Sequence, residues 1–154
     1  MSGPIITPLA LPAISQRQTT ASPAPRRRLP LASVPTPRTS AAVYGLAAVD
    51  RRGRVADHAI LRALGWTAGT RLDITENCGL LVIRSSAAHG MFSVTNQGHL
   101  RLPAPVRHYS GLVPGDRVLL AADPARDLLV VHPPAALDDL LAQRHAELLG
   151  GELA

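Results

Sequence analysis

Residues 111–133 read GLVPGDRVLLAADPARDLLVVHP, and residues 65–84 read GWTAGTRLDITENCGLLVIR. In both stretches a glycine and a large apolar residue are followed, two residues later, by a second glycine, a polar residue and an arginine. Each stretch then continues as two apolar runs separated by a short polar turn, a pattern typical of a β-hairpin. The same pattern twice in one chain indicates an internal repeat.

The repeat extends upstream of these hairpins. Gly53 matches Gly98 at an offset of 45 residues, and Gly65 matches Gly111 at an offset of 46. Each copy predicts two short strands separated by a polar turn, then a short helix, then the hairpin. One small sheet of this kind leaves its apolar face bare, so two copies are expected to cover each other. The simplest architecture is one barrel made of two halves.

The repeat assigns bounds to most of the chain. The first copy is placed in residues 43–86, with strands Leu46–Val49, Arg54–Ala56, Arg71–Thr75 and Leu80–Arg84 and helix His58–Leu64. The second is placed in residues 90–133, with strands Phe92–Thr95, His99–Leu102, Arg117–Ala121 and Leu128–His132 and helix Ala104–Tyr109. Residues 134–154 are assigned to a C-terminal amphipathic helix, whose apolar stripe comprises Leu137, Leu140, Leu141, Leu148 and His145. That stripe is expected to pack on the end of the barrel, with a dimer seam as the alternative.

The charge of the chain is unevenly distributed. All 16 basic residues are arginine. Residues 1–42 hold five of them and no acid, whereas residues 43–154 hold 11 arginines and 11 acids. The basic pI therefore comes from the first 42 residues, whose proline-rich composition predicts a disordered tail. Arg26, Arg27 and Arg28 in that tail are candidates for contacts with a DNA backbone.

Several protein classes are not favoured by the sequence. No apolar run approaches the roughly 20 residues that span a bilayer, and the N-terminus lacks the features of a signal peptide, so we expect a cytoplasmic protein without a membrane partner. Cys78 is the single cysteine, and the six histidines show no metal-ligand spacing. No phosphate-binding loop or catalytic triad is recognisable. We therefore expect no metal, no cofactor and no enzymatic activity.

The second copy, GHLRLPAPVRHYSGLVPGDRVLLAADPARDLLVVHP, resembles the AbrB/MazE/SpoVT swapped-hairpin family. The pattern shared with that family is a glycine, a short strand ending in an apolar residue and proline, a short helix with arginine, then Gly-Leu-x-x-Gly-Asp and a hairpin. The first copy, VDRRGRVADHAILRALGWTAGTRLDITENCGLLVIR, looks like a degenerate version in which Asp57 stands in place of Pro103. The resemblance covers residues 43–133.

The resemblance implies a mainly β fold, a swapped-hairpin AbrB-type β-barrel, here built from two tandem repeats with short helices, a C-terminal helix and a disordered N-terminal tail. In the family two chains usually interleave their hairpins, and many members are bacterial transcription regulators or antitoxins. The resemblance also implies double-stranded DNA as partner, held by basic residues near the first strand, its turn and the short helix. The corresponding residues here are Arg51, Arg52, Arg54, Arg62, His99, Arg101, Arg107 and His108.

The local charge agrees with that implication. Residues 43–67 and residues 91–111 each carry a net charge of +2, whereas residues 112–154 carry −4. Ala47, Ala48 and Ser93 occupy first-strand positions where family regulators often have basic residues. The leading hypothesis is a sequence-specific DNA-binding transcriptional regulator that reads an asymmetric site.

Two alternatives remain open at this point. One is an antitoxin-like protein-interaction module that binds a partner protein through the acidic C-terminal segment, with or without repression of its own promoter. The other is a structural barrel that has lost its DNA surface. The sequence does not decide whether the two repeats pair within one chain or swap between two chains.

Overall fold

The computed structural model of the protein describes Gly3 and residues 36–150. Residues 36–42 are mostly exposed and contain no helix or strand. The rest of the predicted tail, including Arg26, Arg27 and Arg28, lies outside the described residues, as do residues 151–154.

Eight strands and three α-helices make up this part of the chain. The elements of the first half, residues 43–86, are β1 (Val43–Ala48), β2 (Arg54–Val55), α1 (His58–Leu64), β3 (Arg71–Asn77) and β4 (Leu80–Ser85). Those of the second half, residues 90–133, are β5 (Phe92–Ser93), β6 (Leu100–Arg101), α2 (Ala104–Tyr109), β7 (Arg117–Asp123) and β8 (Leu128–His132). They are followed by α3 (Pro134–Gly150).

Local signals set the bounds of the two short helices, which match the predicted bounds. The side chain of Asp57 accepts a hydrogen bond from the backbone N–H of Ile60 at 3.1 Å and so caps α1. Pro103 precedes α2, where a missing amide proton has no cost. The strands differ more from prediction. β1 begins at Val43 rather than Leu46 because its first residues pair with β7, a long-range contact that local patterns do not reveal.

The strands form one six-stranded antiparallel sheet and one two-stranded sheet. The order of the large sheet is β1-β7-β8-β4-β3-β5, and β2 pairs with β6. If each strand is replaced by its counterpart in the other half (β1 by β5, β3 by β7, β4 by β8, and the reverse), the same order is obtained, read from the other end. The outer strands of each half pair with the hairpin of the other half, and this pairing occurs within one chain. In residues 36–150 β1 and β5 do not pair with each other, so the six-stranded sheet is open rather than a closed barrel.

Several hydrogen bonds occur at matching positions of the two halves. The N–H of Val49 donates to the carbonyl of Asp116 at 2.8 Å, and the N–H of Val94 donates to the carbonyl of Thr70 at 3.0 Å. The turns after β1 and β5 also agree. Asp50 donates to Arg54 and Thr95 donates to His99, each at 3.0 Å through main-chain atoms.

Both halves contribute equally to a single core. The eighteen buried apolar residues divide into nine from residues 43–86 and nine from residues 90–133. Leu81, Ile83, Leu129 and Val131, on the adjacent strands β4 and β8, are 0% exposed. Because neither half covers these side chains by itself, the core requires both halves.

The C-terminal helix packs less than its apolar stripe predicts. Pro134, Ala136 and Leu137 in its first turn are half-buried beside β7 and β8, but every residue from Asp138 to Gly150 is exposed. The expectation that the stripe packs along the end of the fold is therefore wrong beyond the first turn. No helix in the described residues is long and apolar enough to cross a membrane.

The β7–β8 turn is tied to the first half by one carboxylate. Asp127, whose backbone is left-handed at φ 51°, accepts a hydrogen bond from Trp66 Nε1 at 2.7 Å and another from the hydroxyl of Ser85. Partial burial acts to raise the pKa of Asp127, but the hydrogen bonds from Ser85 and Trp66 outweigh it, so the pKa lies below its ordinary value of 3.8. This carboxylate thus links the end of α1, the end of β4 and the second hairpin.

We predict that Asp127→Ala lowers the free energy of unfolding by about 1–3 kcal/mol, because Trp66 Nε1 is left without its acceptor. Urea denaturation of the two proteins measures the difference. Asp123→Ala is the matched control in the same turn. It removes only an exposed ion pair with Arg126 at 3.5 Å, expected to contribute about 0–1 kcal/mol. Equal losses in the two variants would contradict the assigned role.

The stabilisation by Asp127 should depend on pH. A carboxyl whose pKa is lowered by folding contributes stability that is present above its unfolded value and is lost as the pH falls through its folded value. The difference between wild type and Asp127→Asn is therefore expected to be largest above pH 4 and to shrink below it. Urea midpoints measured from pH 6 to pH 2 test this, and a difference that stays constant over that range would contradict it.

Candidate functional site

A two-stranded ribbon places one arginine from each half of the chain on the same surface. In the β2–β6 pair, Arg54 lies opposite Arg101, and Val55 lies opposite Leu100. Val55 and Leu100 are 1% and 2% exposed, so they face the core. Since side chains alternate between the faces of a strand, both arginines point to the outer face. Arg101 is exposed and Arg54 is half-buried.

Two adjoining cavities surround this ribbon, and we call them together the arginine groove. The larger has a volume of about 560 Å³ and the smaller about 420 Å³. Both are lined by Arg52, Thr95 and Arg101. Arg107 lines the larger cavity and Arg54 the smaller. Among the described residues no acidic side chain lines either cavity, so the groove is strongly positive.

Asp50 offsets the repulsion between the two arginines of the ribbon. Its carboxylate accepts hydrogen bonds from the backbone N–H groups of Arg52 and Arg54, both at 2.8 Å, and from Arg54 Nε at 2.7 Å. The backbone N–H of Arg54 is the largest of the causes that lower the pKa of Asp50 to about 2. Like charges opposite each other in a ladder are destabilising, and this carboxylate neutralises one of them. Arg54 Nη1 also reaches Gln97 Oε1 at 3.4 Å.

Arg107 is held by Leu102 of its own half, which in turn bonds to the turn of the opposite half. Its Nε donates to the carbonyl of Leu102 at 3.1 Å, and the N–H of Leu102 donates to the carbonyl of Gly53 at 2.8 Å. Gly53 is buried with φ 79°, and a Cβ there would overlap the carbonyl of Leu102 and the side chain of Arg107. A glycine is therefore required at this position for two reasons, its backbone conformation and the close approach of α2.

One ring nitrogen of His99, a residue near the groove, is not accessible to a ligand. Its ring is 5.6 Å from that of His58 between centroids, and its Nδ1 is buried without a hydrogen-bond partner in the described residues. A buried nitrogen does not contact a ligand in solvent. Any contact between the His99 ring nitrogens and a ligand in solvent would therefore have to be made through Nε2.

The remaining predicted residues are dispersed. Arg51 is exposed in the turn before β2, whereas Arg62 and His108 are exposed on α1 and α2 and line neither cavity. Within residues 36–150 the side chains of these three residues make no hydrogen bond or ion pair to the protein. The structure thus brings together Arg52, Arg54, Arg101 and Arg107 and leaves Arg62 and His108 apart.

The structure adds polar residues that the sequence patterns did not indicate. Thr95, Asn96 and Gln97 line the arginine groove, next to Ser93 at the first-strand position discussed above. These residues lie in or next to the turn that ends at Gly98, which the sequence identified only as a connection. The sequence feature that could have indicated them is their alignment with the arginine-rich turn of the first half.

Within residues 36–150, no group of three or more histidine, cysteine or acidic side chains is close enough to hold a metal ion. Cys78 is exposed at the tip of the β3–β4 hairpin.

Comparison with known proteins does not assign a family. No family model, no curated protein and no solved structure matches the chain.

We predict that Gly53→Ala lowers the free energy of unfolding by about 2–5 kcal/mol. About 1–2 kcal/mol comes from left-handed backbone and about 1–3 kcal/mol from overlap with Leu102 and Arg107. Gly98→Ala is the matched control, because Gly98 has a similar φ of 75° but its Cβ would meet only His58 at 3.5 Å. Its loss is expected to be about 1–2 kcal/mol. Chemical denaturation compares them, and equal losses would exclude the close approach.

We also predict that the carboxyl of Asp50 titrates near pH 2 in the native protein. Arg54→Ala should raise this midpoint but leave it below 3.8, because the backbone N–H of residue 54 still donates to the carboxylate. Side-chain carboxyl shifts followed by NMR between pH 6 and pH 1.5 give both midpoints. A wild-type midpoint near 3.8 would contradict the hydrogen bonding described here.

Proposed function

We propose that residues 43–133 are two tandem swapped-hairpin units that form one pseudo-dimeric body within a single chain. Three observations support this proposal. Exchanging the halves reproduces the strand order of the large sheet, read from the other end. The first strand of each half pairs with the hairpin of the other. Matching residues make matching hydrogen bonds, as at Val49 and Val94.

We further propose that the protein binds double-stranded DNA through the arginine groove and regulates transcription. The observation that carries the proposal is the convergence of Arg52 and Arg54 with Arg101 and Arg107, from opposite halves of the chain, on a groove that no acid of the described residues lines. Guanidinium groups bind phosphate oxygens and form paired hydrogen bonds with guanine, so they serve both backbone contact and base reading. Such a protein acts by binding rather than by catalysis, in the cytoplasm.

The groove is not symmetric, although the fold nearly is. The first half contributes Arg52 and Arg54 from one turn and strand, whereas the second contributes Arg101 from a strand and Arg107 from α2. Asn96 and Gln97 lie where the first half has Arg51 and Arg52. We therefore expect a single body to read an asymmetric DNA site rather than a strict palindrome.

A second candidate function is binding of a partner protein by α3. Leu140, Leu141 and Leu148 on this helix are 59%, 46% and 62% exposed. Exposed apolar side chains in a row are typical of interaction surfaces. An antitoxin-like protein would combine this surface with the DNA-binding groove, so the two functions are compatible.

Selection of bound fragments from genomic DNA with the full-length chain at physiological salt tests the leading proposal. We expect enrichment of a shared motif. Substituting both Arg52 and Arg101 with Ala should weaken binding at least about tenfold, and the slope of log K against log salt should become shallower by about 0.9 for each phosphate that the variant no longer neutralises. Fluorescence anisotropy on one selected fragment gives both quantities.

Two controls locate the binding surface. The double variant Arg84→Ala, Arg126→Ala removes the same charge from exposed positions that line neither cavity of the groove, and it should bind as wild type does. A variant with Arg26, Arg27 and Arg28 replaced by Ala separates the contribution of the tail. If binding lacks a motif and depends on the tail alone, the groove is not the DNA-binding site.

A further inference from the structure

The two halves of the large sheet differ at their outer strands. β1 runs along β7 for six residues, from Ala48 opposite Arg117 to Val43 opposite Ala122. β5 pairs with β3 at only two positions, Arg71 with Ser93 and Leu72 with Phe92. Beyond Leu72, the outer side of β3 has no partner strand in the described residues. We call the unpaired stretch, residues 73–77, the open edge.

The open edge presents the main-chain groups of Ile74 and Glu76. The carbonyl of Thr70 accepts from the N–H of Val94, so Thr70 faces the outer side of the strand. Hydrogen-bonding direction alternates along an antiparallel strand, and Ile74 and Glu76 therefore face the same way. At the matching positions of β7, Leu120 lies opposite Gly45 and Ala122 opposite Val43. Two ladder positions that β1 fills in one half are thus not filled in the other by any strand of residues 36–150.

The connection between β4 and β5 accounts for the vacancy. Six residues, 86–91, join the two strands. They turn back at once, since Ser86 donates to the carbonyl of Arg71 at 2.9 Å and Gly90 donates to the carbonyl of Ser86 at 2.8 Å. The chain therefore meets β3 again beside Leu72 and does not extend along it to Glu76. β1 is not tethered to the sheet in this way and pairs with six of the seven residues of β7.

An apolar cavity of about 210 Å³ lies next to the vacant positions. Its apolar lining comprises Ile74, Leu81, Pro105, Val106 and Tyr109, and its one charged lining residue is Glu76. In the first half the corresponding place is filled. Ile60 and Leu120, which match Val106 and Ile74, are both 1% exposed, and Gly45 of β1 lies against Ile60. The cavity is therefore the space that a strand like β1 would occupy.

We propose that the open edge binds an extended, cationic segment of a partner protein, which adds to β3 as an antiparallel strand. Main-chain hydrogen bonds to Ile74 and Glu76 supply affinity, and the cavity accepts a small residue facing Val106. The partner carries an arginine or lysine opposite Glu76, because Asp73 and Glu76 are the charged residues of the open edge and both are acidic. A second copy of this chain would bring two more acids to the interface, which disfavours pairing of two open edges.

The partner site is distinct from the arginine groove and from the leucines of α3. It rests on the pairing of the strands, the adjacent cavity and the acidic residues of the open edge, none of which is part of the groove, so it holds whether or not the protein binds DNA. Failure of the DNA experiment and failure of this one are therefore distinguishable.

The sequence of β1 supplies the probe. A labelled nine-residue peptide with the sequence of residues 41–49, AAVYGLAAV, is compared with its V43R version, AARYGLAAV, by fluorescence anisotropy against the full-length chain. The register of β1 on β7 places position 43 opposite the residue that matches Glu76. We expect the V43R peptide to bind about two- to fivefold more tightly. Glu76→Gln should remove that preference. Asp73→Asn is the matched control, because the main chain of residue 73 faces β4, and it should preserve the preference.

Two further measurements locate the peptide. Binding should slow amide hydrogen exchange at Ile74 and Glu76. Ile74→Pro should abolish binding and leave the β3–β4 ladder intact, because proline is tolerated where the N–H faces away from a partner strand. If Ile74→Pro does not fold, the exchange measurement and Glu76→Gln still decide the outcome.

Three results would overturn the proposal. The first is absence of binding by either peptide at millimolar concentration. The second is that wild type binds the two peptides with equal affinity, or that a folded Ile74→Pro variant binds the V43R peptide as tightly as wild type does. The third is concentration-dependent self-association that a folded Ile74→Pro abolishes, which would assign the open edge to a second copy of the chain.

Discussion

Antiparallel pairing of β4 with β8 is the contact on which the rest of the structure depends. It joins the two hairpins at the centre of the large sheet and brings Leu81 and Ile83 beside Leu129 and Val131, all without solvent exposure. Each hairpin alone would leave this apolar face in water, and small two-stranded units are marginal at best. Association of the halves therefore supplies the burial that offsets the entropy lost by ordering the chain.

The arginine groove is a consequence of that association. β2 and β6 are two residues long, and each belongs to a different half, so the ribbon that they form exists because the halves meet. Its buried side is held by Val55 and Leu100, and its outer side collects positive charge from both halves. Asp50 reduces the resulting repulsion at Arg54 and leaves Arg52 and Arg101 exposed. A surface of this kind suits a polyanion better than a neutral small molecule.

The two halves of the large sheet are not equivalent at their outer strands. The first strand of the first half pairs with β7 at six positions, whereas the first strand of the second half follows a six-residue connection and stops after two ladder positions. The same division appears in the helices, because α1 buries Ile60 and Leu61 but α2 has no buried residue. The near-symmetric topology thus carries two different surfaces at its outer edges.

The sequence by itself determined the local elements. The bounds of α1, α2 and β8 follow from capping residues, glycines and apolar periodicity, which act over a few residues. The offsets between Gly53 and Gly98 and between Gly65 and Gly111 predicted that local structure would recur. Val49 and Val94 make corresponding main-chain hydrogen bonds, and the repeat itself stays a prediction. Charge counts over short stretches also identified the arginines that the groove contains.

Only the tertiary structure decided how these elements combine. Register and strand order arise from contacts between residues far apart in the chain, so sequence patterns revealed neither the extension of β1 to Val43 nor the open edge of β3. For the same reason the sequence could not separate Arg101, in the groove, from Arg62, outside it. The leucines of α3 predicted a packed stripe, but periodicity shows only that a face is apolar, and whether another surface covers it depends on where the chain places the helix.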